Sequence, residues 1–447
     1  MAIFGPLEED VHVENPTELA AGRARVVPAG QPFALPPTFV ALGRNADDAA
    51  WQVHRALPAA YDNAVTFNSN GTDDGRISTG AKDDMDLATV REVAPLARRL
   101  GVDTFILDDG WQAVSGDWDP DCPGHPDPRG KYPVRFPDCA FVAVRQAIAP
   151  MRLGLWMSPM HFNPAAAAYR EHPEWACAPA GHGLAAANAV QPDDGSNEAG
   201  IGEWGPAAIP HIESRIRRAI DEWGVRYFKF DFLAWLDCAG QGDLYDMHDA
   251  FLAMVDRLRG PSWFQNGTPE VRRLLHNVWN LSPYVPAYSL GQHFLGGQAW
   301  RDQPVATLMA AALPTHMTFF SDLRQIPAQV VDEAAPWTAF HRAHRSAFAG
   351  MTYPLLADPL AGGWTALQVW NPDRGRGALL AFRQDDEAPT RRIALRAVPP
   401  GRRFRLLEAP GGTAVGTATS AELSRGLDVT LPKRRARVLL VEPARGS

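Results

Sequence analysis

The chain has 447 residues, of which 46% are hydrophobic and 21% charged, and its formal net charge is −8. These are the proportions of a globular protein with a large core and room for two or three domains. The negative charge and the lack of long basic blocks exclude nucleic acid as the main partner, and the sequence has no apolar run of the roughly 18 residues that a membrane helix needs.

The cysteines and the N-terminal residues bear on location and on metal binding. Four cysteines, Cys122, Cys139, Cys177 and Cys238, do not predict a disulfide framework in a chain of this length. No C-x-x-C or H-E-x-x-H pattern occurs, so we expect neither a zinc site nor another metal or organic cofactor. The N-terminus lacks the basic and apolar regions of a signal peptide, which predicts a cytoplasmic location.

Taken in order, the chain shows three kinds of pattern. Residues 1–60 are rich in Ala, Pro and Val, and their short strand-like pieces predict a short N-terminal β lead-in. From residue 61, short apolar runs alternate with segments of helical spacing, beginning with a strand at 64–68 and a helix at 85–101. From residue 353, about six short alternating runs separated by turn residues predict a β-sandwich through residue 447.

The alternating segment predicts parallel βα units, and the length of residues 61–352 fits one barrel. We therefore expect an α/β protein, a (β/α)8 TIM barrel with a C-terminal antiparallel β-sandwich. A doubly wound parallel sheet is the alternative fold. The sequence does not favour it, because no glycine-rich dinucleotide fingerprint is found.

One strand of this series, RYFKFDFLAWLDC (226–238), carries two charges in an almost wholly apolar run. Lys229 and Asp231 are two residues apart, so on a strand they lie on the same face. Charges in such a run cost free energy unless they pair or take part in chemistry. The pattern is compatible both with a buried structural ion pair and with a catalytic site.

Other polar and aromatic residues close the predicted strands, where a parallel barrel places its catalytic groups. They are Asp108, Asp109, Trp156, His161, Asn266 and Asp322. Two acids among tryptophans suit glycoside chemistry, in which one carboxyl attacks or activates water and the other protonates the leaving oxygen. The 14 tryptophans fit a small-molecule carbohydrate as the partner. Asp108 and Asp109 could bind adjacent sugar hydroxyls, or simply cap a helix or turn before Gly110.

Five segments resemble, in order, motifs of bacterial α-galactosidases of glycoside hydrolase family thirty-six. They are FILDDGWQ, GDW with KYPVRFPD, RLGLWMSPMHFNP, YREHPEWAC and RYFKFDF. The resemblance covers about residues 60–355, and the C-terminal sandwich is also similar. It implies that Asp231 is the nucleophile of a retaining double displacement and that Lys229 contacts sugar hydroxyls. It further implies that Asp108 and Asp109 bind the 4- and 6-hydroxyls of an α-galactosyl unit, between walls formed by Trp111 and Trp156.

The sequence also departs from the family. The large N-terminal sandwich is mostly missing, so we expect a divergent, N-terminally truncated member. The first strand reads NSNG (68–71) where the family has a Trp–Glu pair, and Ser158 and Met160 stand where it has two glutamates. The sixth strand reads FQNGTPEVRR in place of a Cys-Ser-Gly-Gly-Gly run. The region of the family's acid/base aspartate, residues 276–293, contains no Asp or Glu.

The proton donor is therefore open. We favour Asp322, which follows a serine at a strand end as the family's acid does, although its position better matches a different Asp-Leu pair of the family's last strand. Asp302, Glu270 and His161 are weaker candidates. We expect His161 to be a substrate contact or a satisfied polar group, and Asn266 to contact substrate.

Three functions follow from these observations. The first is a retaining α-glycosidase of α-galactosidase type. The second keeps the nucleophile but transfers the glycosyl group to another acceptor, or acts on an unusual sugar. The third is a non-catalytic carbohydrate-binding protein on a decayed barrel, a reading that the Lys229–Asp231 strand disfavours. The sequence leaves the sugar, the aglycone and a homo-oligomeric state open.

Overall fold

A computed structural model of the chain describes residues 41–56, 65–69, 86–126, 134–178, 202–231, 244–258, 264–266, 270–283, 285–294 and 296–444. Within these ranges a curled sheet of seven parallel strands forms the first domain. Its strands are β1 (Thr66–Asn68), β2 (Thr104–Leu107), β3 (Arg152–Met157), β7 (Tyr227–Phe230), β8 (Phe264–Asn266), β9 (Leu290–Phe294) and β10 (His316–Phe320).

The order of strands in this sheet is β7-β3-β2-β1-β10-β9-β8, so neighbours in the sheet are neighbours in the chain except where β1 meets β10. That pairing of the first strand with the last is how a barrel closes, and it excludes the doubly wound alternative, in which the order reverses. The two edges, β7 and β8, are consecutive strands of the sheet. The fold is the expected TIM-barrel type, with seven of the eight predicted strands among the described residues.

Helices flank the sheet, and the helix over Ile209–Asp221 packs through one apolar face. In the helix over Ile209–Asp221, Ile212, Ile216 and Ala219 recur at intervals of three and four and are buried, while Arg217 and Glu213 pair at the surface. The helices of this domain are α2 (Leu87–Arg99), α3 (Val142–Ile148), α4 (Ala167–Glu171), α5 (Ile209–Asp221), α6 (Leu244–Leu258), α7 (Val271–Leu281), α8 (Val305–Ala312), α9 (Ala328–Ala343) and α10 (Arg345–Phe348).

A small antiparallel sheet interrupts the connection between β3 and α5. Its order is β4-β6-β5, with β4 at His161–Phe162, β5 at Ala176–Ala178 and β6 at Gly202–Trp204. It stands at the carboxyl end of β3, next to the rim of the barrel where a site is expected. Between β8 and β9 the chain forms α7, which continues to Leu281.

The C-terminal domain is the predicted sandwich. Its larger sheet, in the order β11-β12-β13-β18-β15-β16, faces the two-stranded sheet β14-β17 across a core that includes Trp364, Leu379 and Ile393. The strands are β11 (Met351–Pro354), β12 (Trp364–Asn371), β13 (Arg376–Arg383), β14 (Thr390–Ile393), β15 (Arg403–Glu408), β16 (Thr413–Thr419), β17 (Leu427–Thr430) and β18 (Arg435–Pro443), with helix α11 (Ser420–Arg425) before β17. Strand β11 straddles the predicted boundary at 352/353.

The described part of the N-terminal lead-in is helical, which differs from the predicted β structure. Helix α1 spans Ala46–Ala56 and begins with two acids, Asp47 and Asp48, at the end where the helix dipole favours negative charge. Asn45 accepts the Asp48 backbone N–H at 2.9 Å, a start signal that the sequence analysis missed. Trp51 packs against the core of the sandwich. Residues 1–40 lie outside the described residues.

A disulfide joins Cys122 to Cys139 in the connection between β2 and α3, and no described cysteine is free. The same connection is held by Arg135, which donates to the Gly110 carbonyl oxygen, and by a 3.0 Å hydrogen bond from the Phe136 N–H to the Asp121 carbonyl oxygen. The expectation that four cysteines form no disulfide framework did not anticipate the bond between these two. Their 17-residue separation carried no sequence signal that they meet.

We expect the double variant Cys122→Ser/Cys139→Ser to unfold at a lower temperature than the parent, because opening a loop of this length costs about 2–4 kcal/mol. Differential scanning calorimetry measures the shift, and reduction of the parent protein should move its transition in the same direction. Equal transition temperatures, with the disulfide demonstrated in the parent by peptide mapping, would contradict a stabilising role.

Candidate active site

The site is built on one row of residues across three adjacent parallel strands. Leu107 is paired with Leu155, and Trp156 with Lys229, so the residues that follow β2 and β3 lie level with the end of β7. Asp108 therefore stands beside Trp156, and Trp156 beside Lys229. Below this row Gly154 faces Ile106, whose Cγ1 would lie 2.9 Å from any Cβ at that position. A larger residue there would require the Ile106 side chain to move beneath the site.

Lys229 is the centre of the row, and its ammonium contacts two carboxylates. Its Nζ lies 2.9 Å from Asp108 Oδ2 and 3.4 Å from Asp231 Oδ2. The side chain points into the barrel, where Nζ also lies 5.3 Å from the centre of the Phe320 ring. Burial by itself would lower the pKa of Lys229, but the attraction of Asp108 and Asp231 and their hydrogen bonds outweigh burial and raise it. Lys229 is thus held as a cation.

Asp231 follows β7 directly and is the exposed member of the group, with 39% of its side chain accessible. The Trp156 indole N–H donates to Asp231 Oδ2 at 3.0 Å, and the Asp231 backbone N–H donates to the Met157 carbonyl oxygen at 2.9 Å. Its carboxylate therefore receives a cation and an N–H donor on the same oxygen. Both contacts favour the ionised form, and the side chain remains open to a ligand.

Asp108 and Asp109 are buried behind Asp231 and are fixed by short hydrogen bonds. The Asp108 N–H donates to Ser69 Oγ from the end of β1, and Asp108 Oδ1 accepts the Asp109 N–H, both at 2.9 Å. Asp109 Oδ1 accepts from Gln112 Nε2 at 2.6 Å. Asp108 and Asp109 thus stabilise the turn before Gly110, as one of the two alternatives from the sequence proposed. Asp108 also contacts the ammonium of Lys229.

Two predicted pocket walls have different surroundings. Trp156 lies against Asp231, as described above. Trp111 has no exposed surface, and its indole N–H donates to the Trp156 carbonyl oxygen at 2.7 Å. Its ring packs edge-on against Phe141 and Trp223. The implied role of Trp111 as a pocket wall is wrong, because its ring lies in the core and its indole N–H is bonded to the backbone of β3.

His161 lies in β4, at the rim of the site, between a hydroxyl and a carboxylate. Its Nδ1 is 2.8 Å from Ser158 Oγ, and its Nε2 is 3.9 Å from Glu203 Oε1 in β6. His161 and Glu203 are directly opposite each other in the antiparallel β4–β6 pair. Glu203 is completely buried, whereas His161 keeps 12% of its side chain exposed.

Asp322, the favoured proton donor, does not have the surroundings of an acid. Its carboxylate accepts from the Arg324 backbone N–H and from both Arg324 Nε and Nη2, at 2.9–3.0 Å. Burial would raise the pKa of Asp322, but these bonds from Arg324 lower it, whereas a general acid needs a raised value. Asp322 also lines a small cavity with Val90 and Val93 of α2, on the helix side of the sheet.

The remaining candidates are placed as follows. Glu270 lies before α7 and pairs with Arg273 at 3.3 Å. Asp302 follows a 3-10 helix over Gly296–Arg301. Asn266 ends β8, at the edge of the sheet, and its side chain lies outside the described residues. Across the described ranges, no group of three or more His, Cys, Asp or Glu could hold a metal ion, and no helix has the length and apolarity of a membrane span.

Sequence reasoning missed Ser69, Gln112 and Glu203. Gln112 and Ser69 stand next to motif residues, so their polarity beside Asp108 and Asp109 was a usable signal. The sequence signal for Glu203 was weaker, because it is a single acid in the short GEW segment and its partner His161 is 42 positions away in the chain.

Comparisons with known proteins confirm the resemblance stated from the motifs. Residues 79–250 match the family model Melibiase. Alpha-galactosidase C of Emericella nidulans is 31% identical over 105 residues, which cover 21% of this chain and 14% of the relative. The alpha-galactosidase of Escherichia coli is 29% identical over 158 residues, or 34% of this chain and 20% of the relative. The chain thus matches only a small part of the length of these curated relatives.

The fold comparison extends further than the sequence comparison. A variant of the family thirty-six alpha-galactosidase of Geobacillus stearothermophilus, solved in complex with raffinose, superposes with a TM-score of 0.67 at 15% identity, over 89% of this chain and 59% of that one. The alpha-galactosidase of Lactobacillus brevis gives a TM-score of 0.68 at 17% identity, over 90% and 59%. At these identities the comparison establishes the barrel-and-sandwich fold.

We expect Lys229→Met to destabilise the protein by about 3–5 kcal/mol, because the buried Asp108 carboxylate loses its cation. The double variant Lys229→Met/Asp108→Asn should recover much of this loss, since it no longer buries a charge. Chemical denaturation measures both effects. Lys433→Met is the matched control, because Lys433 pairs with Glu387 at the surface and its loss should cost less than about 1 kcal/mol. Equal losses in the two single variants would contradict the assigned role of Lys229.

Proposed function

We propose that the chain is a retaining α-glycosidase of α-galactosidase type, with Asp231 as the nucleophile. One observation carries this proposal: the Asp231 carboxylate is exposed at the end of a barrel strand and is bound by Lys229 and by the indole N–H of Trp156. A nucleophilic carboxylate must be ionised when substrate binds, and a cation with an N–H donor favours that state. In a pair with a purely structural role, both members would be expected to be buried.

In the proposed reaction an oxygen of Asp231 attacks the anomeric carbon, and the bond from that carbon to the aglycone oxygen breaks. The leaving oxygen takes up a proton from a general acid. A water molecule then attacks the same carbon, releases Asp231 and returns a proton to that group, so the configuration is retained. Asp108 and Asp109 would accept hydrogen bonds from sugar hydroxyls, with Lys229 donating to them.

The substrate class is inferred from the relatives. The Geobacillus stearothermophilus neighbours were solved with raffinose and with 1-deoxygalactonojirimycin, and we propose a terminal α-galactosyl unit for this chain too. A cytoplasmic location stays a prediction. The Cys122–Cys139 disulfide counts against it, because cytosolic thiols are kept reduced.

A second reaction, transfer of the glycosyl group to an acceptor or turnover of an unusual sugar, is favoured by one observation. The carboxylate expected to donate the proton, Asp322, is bound by Arg324 on the helix side of the sheet. An enzyme without a carboxylic acid donor would favour substrates with good leaving groups. Analysis of products formed with added sugar acceptors separates transfer from hydrolysis.

We expect Asp231→Ala to lower kcat/KM for an aryl α-galactoside by about 10³-fold or more, because no covalent intermediate can form. Incubation of the parent with a 2-deoxy-2-fluoro-α-galactosyl donor, followed by peptide mass spectrometry, should locate the adduct on Asp231. Azide added to Asp231→Ala should yield the β-galactosyl azide.

Asp322→Asn is the control for this experiment and should retain activity within about tenfold, since its carboxylate is occupied by Arg324. An adduct on another residue, or parent-like turnover by Asp231→Ala, would rule out the assigned nucleophile. A parent protein that turns over no glycoside would refute the proposed function as a whole.

A further inference from the structure

A retaining glycosidase needs one group that first donates and then takes back a proton close to the nucleophile. Two of the carboxylates considered for this role have other partners, since Asp322 is bound by Arg324 and Glu270 pairs with Arg273. Asp108, which lies nearer to Asp231, is buried against Lys229. Residues 276–293, where the family carries its acid, contain no Asp or Glu. Among the described residues, the rim beside Asp231 offers another group of side chains that can carry a proton.

We propose that Ser158, His161 and Glu203 form a proton relay that serves as the general acid and base of this site. The proposal rests on the proposed function, and it places the proton-transfer chemistry on the β3–β4 connection. Ser158 Oγ and His161 Nδ1 lie 2.8 Å apart, at hydrogen-bond distance. His161 Nε2 lies 3.9 Å from Glu203 Oε1, which is an ion-pair distance.

The relay begins beside the nucleophile. Met157 and Phe230 are register partners in neighbouring parallel strands, so the next residues, Ser158 and Asp231, stand level with each other. Neighbouring strands are about 4.8 Å apart. The Asp231 N–H also donates to the Met157 carbonyl oxygen at 2.9 Å, which ties the two strand ends together.

The direction of the Ser158 side chain follows from its spacing to Trp156. Residues two apart in an extended segment share a side, and Trp156 directs its indole N–H at Asp231. The Ser158 hydroxyl is therefore on the Asp231 side of the rim. A general acid of a retaining glycosidase has to face the nucleophile from this side of the rim.

The charge of the relay is set by Glu203. A carboxylate with no exposed surface requires a compensating cation, and the ring of His161 is directly opposite it across the β4–β6 pair. Glu203 favours the imidazolium form with a proton on each nitrogen. Asp231, level with Ser158, also favours the cation, while Lys229 of the same strand opposes it from behind Asp231.

The proton transfer balances in both half-reactions. In the first, the leaving oxygen takes the hydroxyl proton of Ser158, Ser158 takes the Nδ1 proton of His161, and neutral His161 keeps its Nε2 proton toward Glu203. In the second, the attacking water gives a proton to Ser158 Oγ as Ser158 returns one to His161 Nδ1. Ser158 is the catalytic residue that touches the substrate, and His161 and Glu203 act through it.

The test compares two donors, phenyl α-galactoside, which needs protonation of its leaving group, and α-galactosyl fluoride, which needs little. We expect His161→Ala and Ser158→Ala to lower kcat/KM for the phenyl glycoside by about 10²–10⁴-fold. The same variants should lose less than about tenfold on formation of the intermediate from the fluoride. Ser158→Thr, which keeps the hydroxyl, should be far less impaired than Ser158→Ala.

Two further measurements separate the relay from a structural role. Azide should restore turnover of the fluoride by His161→Ala and yield the α-galactosyl azide, opposite to the β product expected from Asp231→Ala. Glu203→Gln should move the alkaline limb of the pH profile to lower pH, because the imidazolium loses its carboxylate. His172→Ala, at an exposed histidine in the same connection, is the matched control and should behave like the parent.

Equal losses on both donors in Ser158→Ala and His161→Ala, with the adduct on Asp231 intact, would overturn the relay and leave the proposed function standing. Parent-like activity of the two variants on the phenyl glycoside would do the same. Failure of the parent to process either donor or to form the adduct would overturn the relay and the proposed function together.

Discussion

The site depends on one buried cation. Lys229 is removed from water inside the barrel, and it remains charged because Asp108 and Asp231 lie within 3.4 Å of its ammonium. The two carboxylates come from the ends of β2 and β7, on either side of β3, so the charge balance exists only when three strands hold their register. The Trp156 indole crosses between them. The fold and the site are thus fixed by the same contacts, and a shift of one strand would leave a buried charge unpaired.

Much of this arrangement was predictable because it is local in the sequence. A spacing of two places Lys229 and Asp231 on one face of any strand. The alternation of short apolar runs with helical segments predicts that this strand belongs to a barrel. The position of Asp108 after another such run brings it to the same edge. Alternation and strand order were sufficient here, since parallel strands of a barrel present their carboxyl ends together. The sandwich was predictable for the same reason, as its runs alternate in and out.

The errors concern contacts that spacing does not encode. Asp322 follows a strand as an acid should, but a nearby arginine, Arg324, binds it on the helix side of the sheet. Trp111 lies in the motif beside Asp109, yet its ring turns into the core. Cys122 and Cys139 meet because a loop folds back, and His161 meets Glu203 through an antiparallel pair inserted into the barrel. In each case the conformation of a connecting segment determines which residues meet. The composition of such a segment constrains its conformation only weakly.

The inserted sheet β4-β6-β5 supplies a carboxylate near a strand end that lacks the two glutamates of the resembling family. Ser158 and Met160 stand where the resembling family has glutamates, so the β3 strand end has lost two negative charges. Glu203 brings one carboxylate back from a different part of the chain, behind His161 and not directly at the rim. An imidazole between a buried carboxylate and a hydroxyl can hold and release a proton, whereas a hydroxyl alone cannot do so near neutral pH. The proposed relay would therefore take the place of the family's aspartate, whose region in this chain, residues 276–293, contains no Asp or Glu.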